Sequence, residues 1–321
     1  MYFVPKFWQQ MYDKVKLWIP RTRDMPDIGS FLDEAKEQTN LKTGEVSLIG
    51  SINGLRVSIN VGGVSIVGSL TRLLYPNNIY PLDRHSTAEA VKRLSDSLHV
   101  DAGAAKVTGL EFGKAFIMAN PVECYLSRLG DMDRMLRYHF EEGTLYYKPR
   151  GRTQSRVIAF YDKMEEIRSK GWKIPKQYDD VNMLRYEIRF SGRLSKRLNV
   201  PYVDASTLSD KDFYRSMVKR YQETYFSISK SNQISRNDMS GIKTVQDAYD
   251  TFVARLLAES GEGQITAFMD ELREAKVFDD RKYYTRLKDK IQKIAAKAGS
   301  NVPDELSKEL DDEIRNVGAY V

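Results

Sequence analysis

The sequence is poor in cysteine and histidine, the residues that build many metal and redox centres. It contains one cysteine, Cys124, and three histidines among 321 residues. One thiol excludes a disulfide framework and a cysteine zinc site, so we expect Cys124 to be a buried packing residue in a reducing compartment. His85, His99 and His139 are far apart and form no His-x-His pair. Chemistry that needs several histidines is therefore not expected.

Long apolar runs are also absent. No segment approaches the roughly 18 apolar residues of a membrane-spanning helix. Residues 1–20 contain aromatic residues and lysines, but not the continuous apolar core of a secretory signal. We therefore expect no membrane association and a cytoplasmic location.

Positive charge and tyrosine are plentiful. The net charge is +6 at pH 7, and 19 residues are tyrosines. A basic chain favours a polyanionic partner such as nucleic acid, although many basic proteins bind none.

The apolar pattern predicts an α+β fold with an antiparallel or mixed sheet and helices packed on one face. Residues 44–70 alternate, with breaks at Asn53-Gly54 and Gly62-Gly63 that supply the positive φ angles of tight hairpins, so we expect about three strands there. Further strands are predicted at 12–19, 105–118, 155–163 and 182–190. Helices are predicted at 86–100, capped by Ser86 or Thr87, and at 210–229; residues 24–43 are predicted as a loop with a short helix, and 121–142 as largely helical.

A change of character near residue 240 predicts two regions. Residues 1–240 contain the mixed α+β pattern, whereas residues 241–321 are helical throughout, with mixed charge and short breaks. We expect a principal α+β domain followed by a helical C-terminal region.

Two predicted strands carry acidic residues on a polar face. In 183–190 the apolar residues alternate with Arg185, Glu187 and Arg189, which places a carboxylate between two guanidinium groups. In 107–112, Glu111 points away from its apolar neighbours, and flanking glycines are expected to leave open space around it. Such residues are usually a solvated, ion-paired strand face. Two strand glutamates on one sheet are also suited to Mg²⁺ or Mn²⁺, which favour carboxylate oxygens.

A third strand ends in a tyrosine. Ala159, Tyr161 and Lys163 are predicted on one face of the strand at 155–163. A nearby ammonium or cation would favour the tyrosinate, which can attack a phosphodiester. A half-buried strand tyrosine is the more ordinary interpretation.

The segment before this tyrosine is basic. Residues 144–160 contain no acidic residue, and they hold two tyrosines, Tyr146 and Tyr147, with four basic residues: Lys148, Arg150, Arg152 and Arg156. Aromatic residues mixed with cations are typical of surfaces that bind single strands.

These elements together resemble the rolling-circle replication initiators of plasmids and filamentous phages, namely the gene II/X replication proteins and the Rep_trans initiators. The resemblance covers roughly residues 10–230. It is carried by RVIAFYDKMEE, by MLRYEIRF about 20 residues later, and by the earlier acidic strand VTGLEFGKAF.

The resemblance implies an HUH-endonuclease-related fold and a replication initiator that nicks one strand at an origin. In that scheme Tyr161 is the nucleophile, with Tyr146 and Tyr147 as alternates, and Lys163 is its active-site neighbour. Glu111 and Glu187 would hold a divalent metal, Mg²⁺ or Mn²⁺. The chain departs from many such enzymes because it lacks a His-hydrophobic-His pair; His139 remains a candidate ligand.

The expected partner is origin DNA, single-stranded and duplex. DNA contacts are expected from the basic residues Lys148, Arg150, Arg152, Arg156, Arg185 and Arg189. The helical C-terminal region is a candidate for a homodimer contact, a host helicase or duplex DNA. Two other functions stay open: a DNA-binding protein without catalysis, and a metal-dependent nuclease that uses water.

Overall fold

The computed structural model describes residues 11–75, 82–140, 143–151, 155–174, 176–178, 180–230, 242–260, 262–298 and 305–318. Its strands are β1 (Tyr12–Pro20), β2 (Asp33–Thr39), β3 (Val46–Ile52), β4 (Leu55–Asn60), β5 (Gly63–Ser69), β6 (Lys106–Met118), β7 (Leu129–Met132), β8 (Met135–Phe140), β9 (Thr144–Pro149), β10 (Arg156–Asp162), β11 (Asn182–Ser191) and β12 (Ile228–Lys230). Its α-helices are α1 (Arg84–Leu98), α2 (Val122–Leu126), α3 (Lys163–Ser169), α4 (Leu194–Leu198), α5 (Lys211–Phe226), α6 (Val245–Ser260), α7 (Glu262–Glu274), α8 (Arg281–Ala298) and α9 (Glu305–Arg315).

One large antiparallel sheet organises the fold. Ten strands pair in the order β2-β3-β4-β5-β1-β6-β11-β10-β9-β8, and β7 pairs separately with β12. The predicted α+β class and the meander over 44–70 are both confirmed. Asn53 and Gly54 adopt φ angles of 49° and 77° in the hairpin between β3 and β4, as the sequence pattern requires.

Helices α1 and α5 cover one face of this sheet with an aromatic core. Tyr186 of β11 lies stacked between Phe160 of β10 and Tyr221 of α5, with ring centroids 4.4 and 4.1 Å away. The hydroxyls of Tyr186 and Tyr221 each donate to the other residue's carbonyl oxygen at 3.0 Å. Because both buried hydroxyls are hydrogen-bonded, the tyrosines join the sheet to α5 and leave neither hydroxyl without a partner.

The opposite face is covered in part by α3. Met164 and Ile167 of α3 pack against Met183 of β11 in a small apolar cluster. Asp162 caps this helix by accepting hydrogen bonds from the backbone amides of Met164 and Glu165. The rest of this face carries the polar residues described below.

The structure corrects four local predictions. The segment predicted as helical over 121–142 is described as far as residue 140, and there it forms the short helix α2 followed by strands β7 and β8. Residues 24–43 contain strand β2 besides a one-turn helix. Helix α1 begins earlier than expected, because Asp83 accepts the amide of Ser86 in a capping box. Cys124 is only partly buried.

The C-terminal segment is helical, as predicted. Its last helix, α9, packs Leu310 and Ile314 into the main core, and the carboxylate of Asp311 accepts a 2.7 Å hydrogen bond from Tyr225 of α5. The domain boundary near 240 remains a prediction. Among the described residues, no helix is long and apolar enough to cross a bilayer.

Candidate functional site

Strand register brings the predicted site residues to one face of the sheet. Tyr161 of β10 lies opposite Arg185 of β11, and Arg189 of β11 lies opposite Glu111 of β6. Glu187 sits between these two rows, opposite Ala159. Since side chains alternate along a strand, all these residues project to the face away from α5.

Tyr161 and Glu187 are in direct contact. The phenol oxygen of Tyr161 donates to Glu187 Oε2 across 3.2 Å. Tyr161 is partly exposed, whereas the Glu187 side chain is 1% exposed. The small residue Ala159, opposite Glu187 in the register, is itself fully buried.

Two arginines enclose Glu187. Arg185 Nε lies 3.2 Å from Glu187 Oε2, and Arg189 Nη2 lies 2.6 Å from Glu187 Oε1. Burial alone would raise the pKa of this carboxyl, but the two guanidinium groups outweigh burial and lower the pKa to about 2. Glu187 is therefore ionised at neutral pH and already balanced by positive charge.

A further acid, Asp13, belongs to this network and was missed from the sequence. Tyr12 pairs with Phe112 and Val15 with Leu110, so a β-bulge sets Asp13 and Lys14 of β1 against the single residue Glu111. Asp13 is 4% exposed. Its Oδ2 lies 3.5 Å from Nη2 of Arg185, which is itself fully buried. The available signal was a lone acid inside an apolar alternation.

Glu111 is more exposed than the other two strand carboxylates of this face, Asp13 and Glu187. Its side chain is 21% exposed, and its Oε1 lies 3.8 Å from Arg189 Nε. Burial first, and the charge of Glu187 second, raise the pKa of Glu111 to about 7. A positive ligand placed there would relieve this crowding of negative charge.

The flanking glycines do not create open space, contrary to the expectation. A Cβ on Gly113 would lie 2.3 Å from the Cβ of Glu187, and one on Gly109 would lie 3.1 Å from the Cβ of Lys16. Gly113 is required because β11 approaches it closely at the residue that binds Tyr161.

Burial opposes ionisation of Tyr161. Desolvation, and next the charge of Glu187, raise the pKa of this phenol well above 10. This is the opposite of the shift that a neighbouring ammonium was expected to cause. Lys163 begins α3, is 1% exposed, and places its Nζ 2.6 Å from Glu166 Oε2. The phenol is thus protonated, and a nucleophilic role requires a proton acceptor.

The alternate residues fall on different faces. Tyr147 is fully buried and donates a 2.7 Å hydrogen bond to the carbonyl of Gly130. Tyr146 lies on the face of Tyr161, with its ring 5.7 Å from the guanidinium carbon of Arg189. His139 alternates with Tyr138 on β8 and therefore points away from Tyr161; its Nε2 lies 3.2 Å from Glu123.

The basic residues are likewise divided. Lys148 and Arg189 lie on the face of Tyr161, and Arg150 is exposed just beyond β9. Arg185 is fully buried and serves the network around Glu187. Arg156 alternates with Tyr161 toward the α5 side, where burial lowers its pKa. Arg152 lies outside the described residues.

The carboxylates fit a divalent ion only in part. Within the described ranges, no group of three or more histidine, cysteine, aspartate or glutamate side chains is placed to hold a metal. Glu187 is already engaged by two arginines and Tyr161, whereas Glu111 is partly exposed and electrostatically crowded. A Mg²⁺ ion commonly uses one or two carboxylates and completes its shell with water and substrate phosphate. Glu111 suits that arrangement.

Fold and site together define an α+β protein in which a sheet-borne tyrosine is held by an acid–arginine network. Residues 11–209 match the family model for the N-terminal part of the phage replication-associated protein known as the gene II protein. The chain belongs to this family, which confirms the resemblance to the phage gene II/X replication proteins. The match begins just before β1 and includes Asp13, Glu111, Tyr161 and Glu187.

The chain is also similar to a solved protein, a rolling-circle replication initiator from Geobacillus stearothermophilus. The match has 15% identity and a TM-score of 0.37, and it covers 68% of this chain and 85% of the other. At this similarity the match carries no argument about the site. No curated protein sequence matches the chain.

Proposed function

We propose that this protein starts rolling-circle replication by nicking one strand of origin DNA, with Tyr161 as the nucleophile. The observation that carries the proposal is the 3.2 Å hydrogen bond between Tyr161 and Glu187 on a sheet face that also presents Arg189. Membership in a replication-associated family supports the choice of DNA as substrate. Tyr146 shares the face but has its ring beneath Arg189, so Tyr161 is the better candidate.

The proposed reaction joins the Tyr161 oxygen to the scissile phosphorus while the bond from phosphorus to the 3′ oxygen breaks. The products are a 5′-phosphotyrosyl strand and a free 3′ hydroxyl. Glu187 accepts the phenolic hydrogen bond in the ground state and is the nearest acceptor for the proton. Because its pKa is low, it is a weak base, and proton transfer is expected to occur late, as the new bond forms.

Positive charge beside the phenol would partly neutralise the negative charge of the scissile phosphate. Arg189 is 37% exposed and can reach a bound strand, whereas Arg185 is fully buried and acts by holding Glu187 and Asp13 in place. Arg189 therefore has the role of a phosphate ligand, and Arg185 that of a positioning residue.

A divalent cation belongs to the proposal as a partner of Glu111. When bound, such an ion would polarise the scissile phosphate. The raised pKa of Glu111 means that the carboxylate becomes fully available to a cation only above about pH 7. Origin duplex binding, a helicase partner and a homodimer through the C-terminal region remain predictions.

The test uses supercoiled DNA that carries the cognate origin, incubated with Mn²⁺ and with EDTA. Tyr161→Phe should abolish nicking and retain DNA binding, while the matched surface change Tyr202→Phe should leave both intact. Nicking by Tyr161→Phe would favour a water-using nuclease. DNA binding without nicking by the unaltered protein would favour a DNA-binding protein without catalysis.

A further inference from the structure

An exposed aromatic surface lies beside the proposed site, at the edge of the sheet. Tyr138 and Phe140 of the outermost strand β8 are 40% and 45% exposed. Tyr146 of β9 pairs with Tyr138 in the strand register, and its ring contacts that of Phe140 with centroids 5.8 Å apart. We call these three rings the aromatic platform.

The platform carries positive charge at close range. Lys148 Nζ lies 5.2 Å from the ring centre of Tyr138 and 5.1 Å from that of Tyr146. Arg189 lies over the Tyr146 ring and also binds Glu187. The rings and cations therefore form one continuous surface that ends at the proposed nucleophile.

Sheet geometry aligns the platform with the site. Tyr138, Tyr146, Ala159 and Glu187 occupy one cross-strand row. Neighbouring strands are about 4.8 Å apart, so Tyr146 lies roughly 10 Å from Glu187 across the sheet. A single strand that extends from Tyr161 toward β8 would pass over these rings.

We infer that the platform binds unpaired bases of the DNA strand that Tyr161 attacks, by stacking them on the exposed rings of Tyr138 and Phe140, while the Tyr146 ring, which lies beneath Arg189 and Lys148, supports Phe140 from below. Paired bases present their edges and phosphates but not their faces, so the platform selects single-stranded over duplex DNA. Rings that alternate with cations bind strands in this way, with stacking on the rings and phosphates on the cations. The charge of Lys148 and Arg189 favours this occupant over an uncharged protein surface.

This inference rests on the proposed function only in the identity of the strand, and its test is separate. Fluorescence anisotropy would measure binding of a labelled single strand of random sequence, about 12 nucleotides long, and of an abasic strand of equal length. Tyr138→Ala and Phe140→Ala should each weaken binding of the base-containing strand at least about fivefold and leave the abasic strand unchanged. Lys148→Ala should weaken both. Tyr202→Ala, a similarly exposed tyrosine elsewhere, is the matched control.

Three results would overturn the inference. The first is unchanged affinity of Tyr138→Ala and Phe140→Ala for the base-containing strand. The second is equal loss on both strands. The third is a sedimentation result in which Tyr138→Ala dissociates a dimer without changing DNA affinity, which would make the platform an interface between copies of the chain. If Tyr161→Phe still forms DNA adducts while Tyr138→Ala weakens binding, Tyr161 is not the nucleophile but the platform binds bases as inferred. If Tyr161→Phe forms no adducts while Tyr138→Ala binds normally, Tyr161 keeps its proposed role and the inference about the platform is wrong.

Discussion

The hydroxyl of Tyr161 lies 3.2 Å from the carboxylate of Glu187, although 26 residues separate them in the sequence. The contact exists because β10 and β11 pair antiparallel and because each strand turns its polar side chains to the same face. Glu187 in turn is fixed by Arg185 and Arg189. The position of the phenol therefore depends on the ion-pair network that holds Glu187.

Removing the charge of Glu187 should destabilise the fold. Glu187→Gln leaves the fully buried Arg185 without its closest counter-charge, and we expect a loss of about 3 kcal/mol in the free energy of unfolding. Urea denaturation followed by circular dichroism measures it. Glu89→Gln, which breaks an exposed pair with Arg93, should cost less than about 0.5 kcal/mol. Equal effects of the two changes would show that the network is not a stabilising unit.

Gly113→Ala should disturb the site although it replaces none of the polar side chains there. The added methyl would lie 2.3 Å from the Cβ of Glu187 and 2.5 Å from its backbone, so β11 must move. We expect a loss of about 1–3 kcal/mol in stability together with reduced nicking. Gly151→Ala is the matched control, because nothing lies within 4 Å of a Cβ there. Unchanged stability and nicking in Gly113→Ala would contradict the described approach of the strands.

Glu111 should make stability depend on pH. Its pKa is raised from 4.5 to about 7 in the folded protein. Between these values the folded state binds more protons than the unfolded state, so stability falls as pH rises from 4.5 to 7, by about 3 kcal/mol at most. Comparing urea midpoints of the unaltered protein and Glu111→Gln isolates this contribution. Parallel pH profiles for the two proteins would show that Glu111 is not perturbed.

Lys148 and Arg156 should differ in their effect on DNA binding, although both belong to the same basic segment. Lys148 lies on the face of Tyr161, so Lys148→Ala should reduce the salt dependence of single-strand binding by about 0.7 in the slope of log K against log salt concentration. Arg156 points to the α5 side of the sheet, and Arg156→Gln should leave the slope unchanged. Equal slopes for both variants would contradict the assignment of faces.

Much of the site could be predicted because strand periodicity is a local property. The alternation in MLRYEIRF fixes which side of β11 carries Glu187, and the Asn53-Gly54 pair fixes a hairpin. The strands at 129–140 could not be recognised, since leucine and methionine there recur at helical spacing among charges, and pairing with β9 overrides that local preference. Because β8 was not predicted, the exposed aromatic side chains of Tyr138 and Phe140 on that strand were not recognised either.

The bulge in β1 could not be predicted from the local sequence pattern either. An extra residue in one strand is defined only by its partner strand, so neither the position of Asp13 beside Arg185 nor the crowding at Glu111 can be read from the sequence. The prediction that a nearby cation would lower the pKa of Tyr161 was wrong for a related reason. Burial by neighbouring strands raises this pKa and exceeds the effect of any nearby cation.

The most direct measurement is the chemical identity of the residue joined to DNA. The protein is incubated with a labelled single strand of its origin and Mn²⁺, the covalent product is digested, and the labelled peptide is identified by mass spectrometry. A 5′-phosphotyrosyl link at Tyr161, absent from Tyr161→Phe, is the expected result. A link at Tyr146, or cleaved DNA with no protein attached, would contradict the role given to Tyr161.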